Sequence, residues 1–190
     1  MTYLDVVLYT SALVLALVPV FGCAFVDCTP HDGAVSISAI IHHDVLSTVY
    51  AFWGAAFLTS LTYFQIQCKK PLRILFAVLG SKLLAVPLYL PFGAVESDVY
   101  HYAFAVAGFA LEFAYILCVL TDVNTCHHAP RGSGLIYFGA TLATAAFVTG
   151  CVGAFSHAHT SFVRVAIFIA EYLFGFGLLV VSKTAHARHL

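Results

Sequence analysis

Six apolar stretches, at about residues 3–25, 45–66, 72–94, 99–121, 134–155 and 162–182, take up most of this 190-residue chain. Each has the roughly 20 residues that a helix rising about 1.5 Å per residue needs to cross a hydrocarbon layer about 30 Å thick. They are too long for the strands of a membrane barrel and lack its alternating polarity. The expected fold class is therefore all-α, a polytopic membrane helical bundle with about six transmembrane helices. The segments between the stretches are too short for a separate soluble domain, so residues 1–190 read as a single integral membrane domain. Composition agrees: 62% of residues are hydrophobic and 9% charged, far from the mix of a soluble globular domain. The first stretch has no basic segment before it and no clear cleavage site after it, and reads as a retained helix.

The basic residues orient the bundle. Lys69, Lys70 and Arg73 lie between the second and third stretches, Arg131 between the fourth and fifth, and Lys183 and Arg188 at the end of the sixth. With six spans all of these fall on one face, which the positive-inside rule makes cytosolic together with both termini. The opposite face receives Asp27, His31, Asp32, His42, His43, Asp44, Glu96, Asp98, His101, His157 and His159. It is acidic and histidine-rich, and would be lumenal or extracellular. Cys23, Cys28 and Cys151 sit near that side, where a bridge between two of them could persist, and Cys68, Cys118 and Cys126 near the other. A net charge of −1 with no basic stripe gives a nucleic-acid partner no electrostatic support, and none is expected.

Away from the cytosolic edge, four residues with a full charge at neutral pH fall inside the spans or at their rim: Lys82, Glu112, Arg164 and Glu171. Measured from Arg73, Asp122 and Lys183 as cytosolic edges, Lys82, Glu112 and Glu171 lie roughly 14, 15 and 18 Å inward at about 1.5 Å per residue. An unpaired charge at that depth costs at least about 2.5–3.5 kcal/mol, so Lys82 is expected to pair with one of the carboxylates. The other is then protonated, shared or in contact with a ligand. These residues make an intramembrane charge network or ligand site, either a packing device that fixes helix pairing or a place for a headgroup or ion. Spacing supports an inward direction: His101, Ala105, Gly108, Glu112 and Tyr115 share one helical face, as do Arg164, Phe168, Glu171 and Gly175. On the fifth span Thr141, Ala145, Thr149 and Gly153 form a small-residue stripe suited to close helix contact. Pro87 and Pro91 suggest a kink in the lumenal half of the third.

Glu96, Asp98, His101, His157 and His159 are candidates for contact with a lipid headgroup at the lumenal rim. Their residue types also suit zinc, but His157 and His159 are two apart in a short loop and lack the helical i, i+4 spacing of a zinc hydrolase, so no metal site is assigned. No serine elbow, paired aspartate motif or glycine-rich phosphate loop occurs. No catalytic residue and no cofactor are assigned.

Three segments resemble a family of six-pass membrane proteins that groups the FRAG and SFK proteins with the DRAM autophagy modulators. The branch of post-GPI-attachment lipid-remodelling factors is the most similar. Val35-Ser36-Ile37-Ser38-Ala39-Ile40 is similar to that branch's Pro-Ser-Ile-Ser segment in the first lumenal loop. Glu96-Ser97-Asp98-Val99-Tyr100-His101 resembles the family's acidic-to-histidine segment at the lumenal start of the fourth helix. Glu171-Tyr172-Leu173 matches a Glu-Tyr-Leu in the last helix. Val35 stands where the family has proline, and the second span lacks the branch's His-Ser-Ala-Pro-Arg stretch.

The resemblance implies a part in remodelling the lipid of GPI anchors, at the Golgi or endoplasmic reticulum membrane, with a membrane lipid or glycolipid as partner. It implies no catalytic set. Two other functions compete. One is a noncatalytic scaffold or regulator of the autophagy-modulator or phosphoinositide-organising type, which would recruit membrane-protein partners. The other is an ion- or proton-coupled transporter with Lys82, Glu112 and Glu171 as its coupling site; the lack of an internal repeat counts against it.

Overall fold

The structure is a computed structural model and describes residues 2–25, 44–67, 70–89, 95–125, 133–155 and 161–187; at several helix ends it describes the backbone alone. All regular structure among these residues is helical. In chain order the helices are α1 (Tyr3–Phe25), α2 (Asp44–Ile66), α3 (Pro71–Tyr89), α4 (Val95–Thr125), α5 (Ser133–Phe155) and α6 (Ser161–His186). They overlap the six apolar stretches, but α4 begins four residues before the fourth stretch and runs four past it, α6 runs four past the sixth, and residues 90–94 of the third lie outside the described residues. The chain is thus an all-helical membrane bundle, and the stretches Pro71–Tyr89, Ala103–Thr125 and Ser133–Val152 are each long and apolar enough to span a membrane.

Local chemistry sets where the helices begin. Before α1, the Thr2 amide and hydroxyl both bond Asp5 Oδ2, at 2.7 and 2.9 Å, while the Asp5 amide donates back to Thr2 Oγ1 at 3.2 Å. This reciprocal cap occupies amides that the first turn leaves without partners. Pro71 opens α3, where a missing N–H costs nothing, and Ile74 N donates to Lys70 O at 3.0 Å. The helix then runs on through Pro87 to Tyr89. Pro91 lies outside the described residues.

Consecutive helices pack as neighbours, with the closest associations between α5 and α6 and between α3 and α4; α6 returns to touch α2 and α4. Glycine decides both close approaches. A Cβ on Gly108 would stand 2.9 Å from the Leu84 backbone nitrogen, and one on Gly177 would stand 2.5 Å from the Gly139 carbonyl oxygen and 2.9 Å from the Ala143 nitrogen. On α5 the face turned to its neighbours is therefore Ile136, Gly139, Ala140, Ala143 and Ala146, all buried. The expected stripe of Thr141, Ala145 and Thr149 is exposed. Thr141 and Thr149 hydroxyls donate to their own helix, to Tyr137 O and Ala145 O at 2.8 Å each. That self-satisfaction lets them face an apolar medium.

The core joins Leu8, Leu61, Phe64, Ala77, Tyr115, Ile116, Val119, Ile136, Phe174 and Leu178 from all six helices. Stacked Phe113 and Phe147, 4.9 Å apart, and the edge-on pair Phe109 and Phe174, at 5.1 Å, tie α4 to α5 and α6. Outward, every helix exposes large apolar side chains: Leu13, Phe52, Leu75, Val106, Phe138 and Phe176 are examples, one from each. Exposure on every side of the bundle fits a lipid surround, since water-facing proteins confine apolar surface to small patches.

Candidate functional site

The inner face of α3 is written at helical spacing: Arg73, Ala77, Gly80 and Ser81 are its buried residues. Opposite them α4 buries His101, Gly108, Glu112 and Tyr115, as the three-four spacing predicts. Glu112 is 0% exposed. It is reached from two helices: Gln65 Nε2 of α2 donates to its Oε2 at 2.8 Å, and Ser81 Oγ of α3 lies 2.9 Å from its Oε1. Thr62 Oγ1 is in turn 2.7 Å from Ser81 Oγ and 2.7 Å from the Leu58 carbonyl. Gly80 makes the approach possible, because a Cβ there would stand 3.0 Å from Glu112 Cγ and 3.1 Å from the Glu112 backbone nitrogen.

Lys82 is not part of this cluster. Its side chain is exposed, and it makes no ion pair among the described residues. The expected pairing with Glu112 is replaced by bonds from the neutral groups Gln65 and Ser81. The physical reason is angular. At about 100° per residue, Lys82 lies about 200° around α3 from Gly80, which touches Glu112. Glu171 is half-buried on α6. Its companion Gly175 looks into open space. The α6 face turned inward is instead Ala170, Phe174, Gly177, Leu178 and Val181. The side chain of Arg164 lies outside the described residues.

Of the lumenal candidates, Glu96, Asp98 and His101 fall on the first two turns of α4, which starts at Val95. His101 is buried, 8% exposed, rather than presented at the rim. The side chains of Glu96 and Asp98 and the whole of His157 and His159 lie outside the described residues. Among the described residues no three His, Cys, Asp or Glu side chains converge as a metal ion would require. Cys151 and Cys118 are free thiols, and Cys28 and the side chain of Cys23 lie outside the described residues.

Two ion-pair clusters that the sequence reading missed close one end of the bundle. Arg73, 1% exposed, pairs with Asp122 at the far end of α4, and Lys70 joins the same carboxylate at 2.7 Å. Lys183 of α6 pairs with Asp5 of α1, and its ammonium sits 3.8 Å from the centre of the Phe64 ring of α2. A signal existed for the first pair: Arg73 and Asp122 mark the same membrane edge on consecutive helices.

A groove of about 400 Å³ runs along the side of the bundle between α2 and α3, lined by Thr48, Ala51, Phe52, Leu88 and Tyr89. Its aromatic walls are open to the surroundings, Phe52 being 66% and Tyr89 65% exposed. Gly54 against Leu88 brings the two helices together beside it. Comparison of the chain with protein-family models, with curated proteins and with solved structures gives no match.

Proposed function

We propose that this chain is a six-pass membrane protein of the Golgi or endoplasmic reticulum that takes part in remodelling the lipid of GPI anchors. In this reading it belongs to the FRAG, SFK and DRAM group, with both termini in the cytosol. The observation that supports a lipid partner most directly is the groove between α2 and α3. Its volume of about 400 Å³ falls in the range of about 300–1,000 Å³ usual for small-molecule sites. It opens sideways rather than into a sealed centre, and its walls are mostly apolar. In the proposed orientation it lies toward the lumenal ends of both helices, where an acyl chain could leave the bilayer while the glycan headgroup stays outside. The three segments beginning at Val35, Glu96 and Glu171 add the family resemblance.

The test is the fatty-acid composition of GPI anchors in cells that lack the protein. A changed acyl composition is expected, restored by the wild-type chain and not by Ala51→Trp, which fills the groove from a buried position. Unchanged anchor lipids overturn the proposal and leave a scaffold that recruits membrane partners as the better reading.

A further inference from the structure

An unbroken line of oxygen atoms crosses three helices, from Glu112 Oε1 to Ser81 Oγ (2.9 Å), to Thr62 Oγ1 (2.7 Å), to the Leu58 carbonyl (2.7 Å). Each separation is that of an O–H···O hydrogen bond, and each such bond needs its own hydrogen. The serine and threonine hydroxyls supply one apiece, while a carboxylate and a carbonyl supply none. An ionised Glu112 therefore fills two of the three contacts and leaves two lone-pair oxygens facing each other at bonding distance. A neutral Glu112 adds the third hydrogen. The acid then donates to Ser81, Ser81 to Thr62 and Thr62 to Leu58, and the remaining oxygen, Oε2, accepts from Gln65 Nε2 at 2.8 Å. Every polar contact of the carboxyl is satisfied in that form.

The charges around it agree. On α3, Lys82 points outward and Arg73 is held by Asp122 two turns away. The described side chains of α2 include no charged group, and α5 carries none in its sequence. On α6, Glu171 is half-buried, Lys183 is held by Asp5 and His186 packs on Phe64, 5.0 Å between ring centres. Tyr172 donates to Leu15 O of α1 at 3.1 Å. His101, on α4 itself, is three turns away. No cation among the described residues neutralises Glu112, and a buried charge without one is costly.

We propose that Glu112 is a proton-binding site, occupied at neutral pH, whose proton completes the hydrogen-bonded line joining α4 through α3 to α2. When hydroxide removes that proton as water, the Ser81 and Thr62 hydroxyls turn toward the carboxylate. The contact between Thr62 and Leu58 is left without a hydrogen. The packing of α2 on α3 is thereby tied to the protonation of a residue on α4, whatever lipid the groove takes.

The test is infrared spectroscopy of the full-length protein in lipid nanodiscs at pH 7, comparing wild type with Glu112→Gln, Ser81→Ala and, as a control, Glu171→Gln. Expected is a carbonyl-stretch band of a protonated carboxylic acid that disappears in Glu112→Gln, persists in Glu171→Gln and moves to higher frequency in Ser81→Ala, where the acid loses its acceptor. Loss of a carboxylate band in Glu112→Gln, with no acid band lost, overturns the proposal. Should Glu112→Gln fail to fold, Ser81→Ala decides: a shifted acid band supports the site, and acid bands left in place overturn it.

Discussion

Ser81 bonds the buried carboxyl of Glu112, while Lys82, the next residue along α3, is exposed on the outside of the bundle. Depth along the axis places both at the level of Glu112, but successive residues turn by about 100°, and that angle selects the partner. The spacing of Arg73, Ala77 and Gly80 already marks the inner face in the sequence, so the outward direction of Lys82 was legible there. What was not legible is that Gln65 of α2 reaches the same carboxyl, because nothing local relates two helices 47 residues apart. Two outcomes follow for thermal unfolding in detergent. Lys82→Ala shifts stability by no more than about 0.5 kcal/mol and adds to Glu112→Gln without coupling. Glu112→Ala takes one buried hydrogen bond from the Gln65 amide and one from the Ser81 hydroxyl, at about 1–3 kcal/mol in all, and is the more harmful change. Glu112→Gln keeps both an acceptor for Gln65 and a donor for Ser81, and costs less.

Among elements, α5 shows how a small-residue pattern is assigned to the wrong side. Thr141, Ala145 and Thr149 are as regular as Gly139, Ala143 and Ala146, and both sets would allow close approach. The glycine of α6 breaks the tie, since Gly177 meets Gly139 and Ala143 backbone to backbone. Gly177→Val should push α6 from α5 and lower stability by about 1–3 kcal/mol, the usual cost of overpacking, whereas Thr149→Leu on the exposed face should be nearly silent in the same unfolding assay. The α3–α4 pair has a second fastening at its end. Asp122→Asn leaves the fully buried guanidinium of Arg73 without its counter-ion and should cost about 3–5 kcal/mol. Lys70→Ala, which removes a half-exposed partner of the same carboxylate, should cost less than about 1 kcal/mol.

For the whole molecule, the clusters around Asp122 and Lys183 lie at the end of the bundle that the positive-inside rule assigns to the cytosol. A cysteine introduced at Lys70 should react with an impermeant reagent from the cytosolic side of sealed vesicles and not from the lumenal side; the reverse pattern inverts the topology. The sequence by itself determined that the chain is a helical membrane bundle, which segments its helices occupy, and which face of α4 is inward. Those properties follow from apolar length and from the 3.6-residue period, both local along one chain segment. Only the tertiary structure decided that Glu112 meets Gln65 and Ser81, and that α5 turns Gly139 rather than Thr141 toward α6. Each depends on how far one helix is rotated against another, and that rotation is fixed by contacts between residues distant in sequence, as at Gly80 and Gly177, where the absence of a Cβ lets the backbones close.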